Sequence, residues 1–215
     1  MERFIRSILP SWPLFAVMVP CVLVEIVLML GDMSPLGGAR FRQTVYEYSA
    51  FWPGLLGNWQ PNYAAQPYAM FATYAVLHGG VLHLVVNMMA LWSLGVGVME
   101  RIGTRGFLLM YGASILGGAV GFGLLANTLR PMVGASGALF GLVGGLVVWS
   151  AVEYRMARES LWPVVRVVVG LIVLNAVLWW LLDGMLAWET HLGGFLAGGA
   201  AAFVLRPADI ADPAA

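Results

Sequence analysis

Apolar stretches of about twenty residues, separated by short breaks carrying charges, glycine or proline, recur along this chain. They predict helices at about 12–31, 80–99, 105–126, 136–152, 163–182 and 190–205, each near the ~20 residues that cross the ~30 Å hydrocarbon layer of a bilayer. The expected fold is therefore all-α: a polytopic membrane bundle of six transmembrane helices over residues 1–205, followed by a short cytoplasmic tail at 206–215 with no structure of its own. A cleaved signal peptide is the lesser reading of the first run, because Trp12 to Leu30 is as long as a span and no small-x-small cleavage pattern follows it. One connection breaks the rhythm. Residues 32–77, between the first and second predicted helices, form a long loop rich in Trp, Tyr, Pro and Gln. Loops of this length are usually functional or disordered. Trp52, Trp59, Tyr63, Tyr68 and Tyr74 are of the types that favour the membrane–water boundary, so the loop is expected to lie at the interface of the outer leaflet.

Composition strengthens the membrane reading. The chain is 60% hydrophobic and 10% charged, against about a quarter charged in soluble domains, so its main environment is the lipid bilayer. All eleven cationic residues are arginine, the net charge is zero, and no basic tract exists, which excludes nucleic acid as a partner. The single cysteine, Cys21, forbids an internal disulfide, and no Cys/His set has metal spacing; neither metal nor cofactor is implied. With the N-terminus in the cytoplasm, Arg3, Arg6, Arg101, Arg105, Arg155, Arg158, Arg166 and Arg206 fall on the inner side and only Arg40, Arg42 and Arg130 on the outer. Cytoplasmic loops carry the excess of Lys and Arg, so this is the expected orientation, in a bacterial inner membrane. Glu25, inside the first span, is costly in lipid and is expected to be paired within the bundle.

The same cost singles out Ser136 and His191, which open the fourth and sixth predicted spans at one depth near the outer face. A serine hydroxyl is a weak nucleophile until a base takes its proton, and a neutral imidazole suits that task near pH 7. Two glycine ladders adjoin the pair: Gly137, Gly141 and Gly145 after the serine, Gly194 and Gly198 after the histidine. Small residues four apart let membrane helices approach closely, so the fourth span is expected to pack on the sixth and bring hydroxyl and imidazole together. Phe140, one turn beyond Ser136, is placed to pack on the imidazole. Glu189, two residues before His191, points to another side of its helix and makes no triad. On the second span His83 and Asn87 share a face at i, i+4. With the backbone N–H of Ser136 they can donate to the oxyanion of a tetrahedral intermediate. His78, at the junction of loop and helix, reads as a structural hydrogen-bonding residue. Ser114 repeats part of the serine motif but sits near mid-span, some 15 Å deep at ~1.5 Å per residue, and reads as packing.

Taken together, His78-x4-His83-x3-Asn87, Gly134-Ala135-Ser136-Gly137 and His191-x2-Gly194-x3-Gly198 resemble the rhomboid family of intramembrane serine proteases, in motif order and over about residues 66–205. The resemblance implies Ser136 as nucleophile, His191 as general base, and His83 and Asn87 as oxyanion donors. It further implies small residues at the cut site of a single-span or other transmembrane protein substrate. Gln66-Pro67-Tyr68-Ala69 is similar to the family's loop segment, yet Tyr68-Ala69 stands where Trp-Arg is often found. Phe140 stands where some members carry tyrosine, which keeps a ring and loses a phenol.

Two other functions are weighed against this one. A non-catalytic rhomboid-like protein that binds transmembrane helices would be expected to lack the serine or the histidine. A transporter would spread polar groups along a path and show internal repeats. Metal and aspartyl intramembrane proteases are excluded, since the chain has neither His-Glu-x-x-His nor Gly-x-Gly-Asp.

Overall fold

The computed structural model describes residues 12–34, 39–207 and 210. The N-terminal segment with Arg3 and Arg6, and most of the predicted 206–215 tail, lie outside the described residues. Seven α-helices are seen among those described: α1 (Trp12–Met33), α2 (Ala39–Ser49), α3 (Gln66–Thr73), α4 (Val81–Leu125), α5 (Ser136–Met156), α6 (Trp162–Leu181) and α7 (Trp188–Val204). Two 3-10 turns, Pro53–Leu56 and Tyr74–Val76, flank α3. The only β pairing among the described residues is an isolated bridge between Phe51 and Met132.

Four helices, α1, α4, α5 and α6, are long and apolar enough to cross a membrane. The predicted second and third spans appear as one 45-residue helix, α4, with a single non-helical residue, Gly103, at φ 69° and ψ 176°. A glycine adopts positive φ without the Cβ clash other residues meet, so the break falls in the charged gap between the two apolar runs. Each arm, 81–102 and 104–125, is about 33 Å long at ~1.5 Å per residue, roughly the thickness of the hydrocarbon layer. α7 has 17 residues, the shortest of the predicted spans.

Two compact units are distinguished within the chain, one of residues 1–96 with 127–136, the other of 97–126 with 137–215. In the first, the predicted interfacial loop is in fact folded, with α2, α3 and both 3-10 turns inside it. Hydrogen bonds within this segment explain why. The Gln66 side chain donates to Glu47 O at 2.6 Å and accepts the Asn62 N–H at 2.7 Å, and Thr73 Oγ1 donates to Ser49 O at 2.6 Å. Tyr74, expected at the membrane boundary, is fully buried instead, edge-on to Phe51 at 6.4 Å, and burial raises its phenol above the ordinary range. Trp52 is half-buried, its indole donating to Tyr46 O at 2.8 Å.

Glu25 is paired as expected. It is 2% exposed, and the Arg42 guanidinium on α2 donates to both of its oxygens, at 2.9 and 3.1 Å. Arg42 also reaches Asp32 at 2.7 Å and the His78 carbonyl at 3.1 Å. The Glu25 hydrogen bond is the main cause that holds this guanidinium more firmly in its charged form. One cation thus pairs with two acids of α1 and fixes α2 beside it, with Leu28, Ala50 and Leu77 closing the apolar contact.

Candidate active site

In the first unit, His83 and Asn87 lie on the α4 face that follows the His78–Gly80 turn. The His83 Nδ1 accepts the Gly79 N–H at 3.2 Å. A neutral imidazole has one donor and one acceptor nitrogen, so this bond places the proton of the neutral ring on Nε2. The ring lies over Gly134: a Cβ there would sit 2.8 Å from Cε1 and 2.9 Å from Nε2. Gly134 also has φ +122°, so both its conformation and its neighbour demand glycine. Its N–H bonds to Tyr74 O at 3.0 Å, and Phe51 and Met132 exchange two bonds at 3.1 and 2.9 Å. These fasten the strand-like approach to Ser136, the first residue of α5.

The Asn87 Nδ2 donates to the His83 carbonyl at 2.8 Å, one turn back, which leaves a second N–H on the amide. Its Oδ1 is buried without a hydrogen-bond partner among the described residues. His78 plays its part through its carbonyl, which accepts from Tyr46 Oη at 2.6 Å as well as from Arg42. Its ring is fully buried, with no hydrogen bond of good geometry to either nitrogen among the described residues, edge-on to His83 at 5.3 Å. Burial, with the neighbouring His83 adding, pushes its pKa down to about 4. The main-chain carbonyl of His78 is thus the acceptor that ties α2 to this turn.

In the second unit, α5 and α7 meet backbone to backbone along both glycine ladders. Any Cβ on Gly194 would run into the Gly137 main chain, and any on Gly198 into that of Gly141. Gly144 has the same relation to Phe195 and Gly199. Trp149 Nε1 donates to Ala202 O at 3.1 Å near the far end of the seam. The predicted packing of these two spans is what the fold contains, and it places Phe140 flat on His191, centroids 4.1 Å apart and planes 8° from parallel. Ser114 is fully buried, donates to Met110 O at 2.7 Å, and packs against Gly141, as a packing residue would.

One polar contact was not foreseen. Asn175, on α6, has its Oδ1 2.6 Å from His191 Nδ1, while its Nδ2 donates to Leu171 O at 2.9 Å. The signal was present in the sequence, as a lone amide in the apolar run 163–182, and polar groups within a span are functional candidates by default. Around this pair lies an apolar cavity of about 670 Å³ between α6 and α7, lined among others by Leu171, Ile172, Trp179, Trp188 and Phe195.

A polytopic helical membrane protein, with a serine at one glycine-faced helix start and a ring-stacked histidine on the helix packed against it, is the class that fold and residues define. The Rhomboid domain profile matches residues 65–208, two thirds of the chain, and the chain belongs to the rhomboid family. It is 35% identical to RHOMBOID-like protein 5 of Arabidopsis thaliana over 132 residues, 60% of this chain and 41% of that one. Rhomboid-like protease 3 of Toxoplasma gondii is 35% identical over 57% of this chain and 46% of its own length. Rhomboid protease GluP of Bacillus subtilis is 32% identical over 62% and 25%. The chain thus spans less than half the length of each of these relatives.

Proposed function

We propose that this integral membrane protein is an intramembrane serine endopeptidase of the rhomboid type, cutting a peptide bond in or beside the transmembrane segment of another membrane protein. The observation that carries the reading is the α5–α7 seam. Gly194, one turn after His191, contacts the backbone of Gly137, and Ser136 is the residue covalently bound to Gly137. Two of the relatives are named proteases, which supports the same chemistry.

Ser136 Oγ attacks the scissile carbonyl carbon as His191 Nε2 takes its proton. The carbonyl oxygen becomes an oxyanion, met by the His83 Nε2–H, the remaining Asn87 Nδ2–H and the backbone N–H groups at the start of α5, where the helix dipole also favours negative charge. Collapse expels the amine, which takes the proton from His191. Water then enters, gives its proton to His191, and attacks the acyl ester; breakdown of the second tetrahedral intermediate releases the acid and expels Ser136 Oγ, which takes the proton back from His191. A helix hides its carbonyls in internal hydrogen bonds, so substrates should carry glycine, proline or other helix-weakening residues near the cut. In this reading the arms of α4 count as two spans and α7 as the sixth. The N-terminus is cytoplasmic and the site faces the outer side of a bacterial inner membrane.

The test is labelling of purified protein with a fluorophosphonate probe, beside cleavage of a transmembrane reporter with Gly-Ala at its centre. Wild type should label and cleave, and Ser136→Ala and His191→Ala should do neither. A folded wild type that neither labels nor cleaves, but retains the reporter helix, would instead identify a rhomboid-like helix-binding protein.

A further inference from the structure

We infer that Asn175 is a positioning residue that fixes which nitrogen of His191 carries the proton. This rests on the reading of His191 as general base, and it gives that residue a partner from α6 within the same unit.

Each step follows from what the groups are able to do. The Leu171 carbonyl can only accept, so the half of the Asn175 amide facing it at 2.9 Å is the NH2. The other half is then an oxygen, which also can only accept. The ring nitrogen 2.6 Å from that oxygen, His191 Nδ1, must therefore be the donor. With Nδ1 protonated, the neutral ring has its lone pair on Nε2, the nitrogen assigned to take the serine proton. The orientation of the amide, usually ambiguous between oxygen and nitrogen, is here set by a backbone carbonyl of its own helix.

Phe140 and Asn175 divide the restraint between them. A stacked ring 4.1 Å away holds the plane of the imidazole but is blind to which nitrogen bears hydrogen and to rotation within the plane. A single acceptor aimed at Nδ1 sets both. Glu189, the acidic residue nearest in sequence, is not needed for this. The Asn175 amide is neutral, so it orients the base without the larger desolvation cost of a carboxylate in an apolar cavity.

The experiment reads the tautomer directly. The full chain is labelled with 15N-histidine in detergent or nanodiscs, and the His191 ring nitrogens are assigned by difference from His191→Gln. In wild type, Nδ1 should carry the proton. In Asn175→Leu, which keeps the volume and removes the acceptor, the ring should become a mixture of tautomers. Fluorophosphonate labelling and kcat should fall by roughly 10- to 100-fold with KM little changed, a smaller penalty than the ~10⁴ seen when a triad carboxylate is replaced so that the wrong tautomer forms. Asn175→Asp, which restores an acceptor, should bring back the Nδ1–H signal and labelling to within a few-fold of wild type; Asn175→Ala serves in place of the leucine variant should that one fail to fold. An unchanged His191 tautomer in the folded leucine or alanine variant overturns the inference, as does an aspartate variant that labels no faster than the leucine one. Should wild type neither label nor cleave while the tautomer still depends on Asn175, the protease reading falls and the orienting role stands.

Discussion

α6 and α7 follow one another directly, joined by residues 182–187, and they are attached by opposite means. α7 buries Thr190, His191, Gly194, Gly198, Gly199 and Ala202, with its glycines against the α5 backbone. α6 has no buried residue at all, and its polar tie among the described residues is the Asn175–His191 bond. In lipid there is little hydrophobic force between helices, so association must come from close packing or from hydrogen bonds. α7 relies on packing, which fixes depth and rotation together. α6 is exposed over most of its surface, with a partly buried stripe of Val164, Val168, Leu171, Asn175 and Leu178, and the amide in that stripe makes the base sensitive to how the helix is rotated and seated.

The contrast is breakable from either side, and the largest effect belongs to the seam. Gly198→Leu drives a side chain into the Gly141 main chain, where nothing flexible can give way; overpacking of this kind costs ~3 kcal/mol or more. Folded yield and fluorophosphonate labelling should both collapse, measured by size-exclusion profile and gel fluorescence. A well-folded, labelling Gly198→Leu protein would mean that the seam is not close-packed. Next comes the ring beneath the base. Phe140→Ala should slow labelling by about 10-fold while leaving the His191 tautomer unchanged, since Asn175 still sets it, and Phe140→Tyr should behave as wild type.

A third, smaller effect is on stability with pH. The His78 ring stays neutral in the folded protein down to about pH 4, whereas in the unfolded chain it takes a proton near 6.5. A lowered folded pKa means the unfolded state binds the extra proton first, so folding loses stability as pH falls from ~6.5 toward 4, and the loss levels off below that. His78→Phe should flatten this part of the Tm-against-pH curve in detergent; an unchanged slope would show that another group governs it. The smallest effect is on α6 itself. Val173, 55% exposed, can be made alanine with a change within ~0.5 kcal/mol in stability and no change in labelling, which separates the helix as a surface from the one residue it contributes.

The helices were legible because hydropathy is a local property: the six apolar runs fall on five helices, two of them on the arms of α4, with bounds within a few residues of those observed. The α4 break, too, fell where charges interrupt the apolar run. Glu25 announced a partner by its cost in lipid, although not that the partner would be Arg42. The loop was less legible. Its aromatics read as boundary residues, but Tyr74 is in the core, because side chain to main chain bonds such as Gln66 to Glu47 fold the segment into helices that no long apolar run marks. His78 reads as structural from its place at the junction, but only the fold shows its carbonyl accepting from Arg42 and Tyr46.

What the sequence determined by itself is the presence of a serine and a histidine at helix starts, each followed by a glycine ladder that permits close approach. Spacing along a helix fixes which residues share its face, and that is enough to align α5 with α7. The helix that supplies the acceptor for His191 was decided only by the tertiary structure. An apolar span carries no periodic mark of its own rotation, so Asn175 became meaningful only when α6 had been placed beside α7 with the amide turned toward the imidazole.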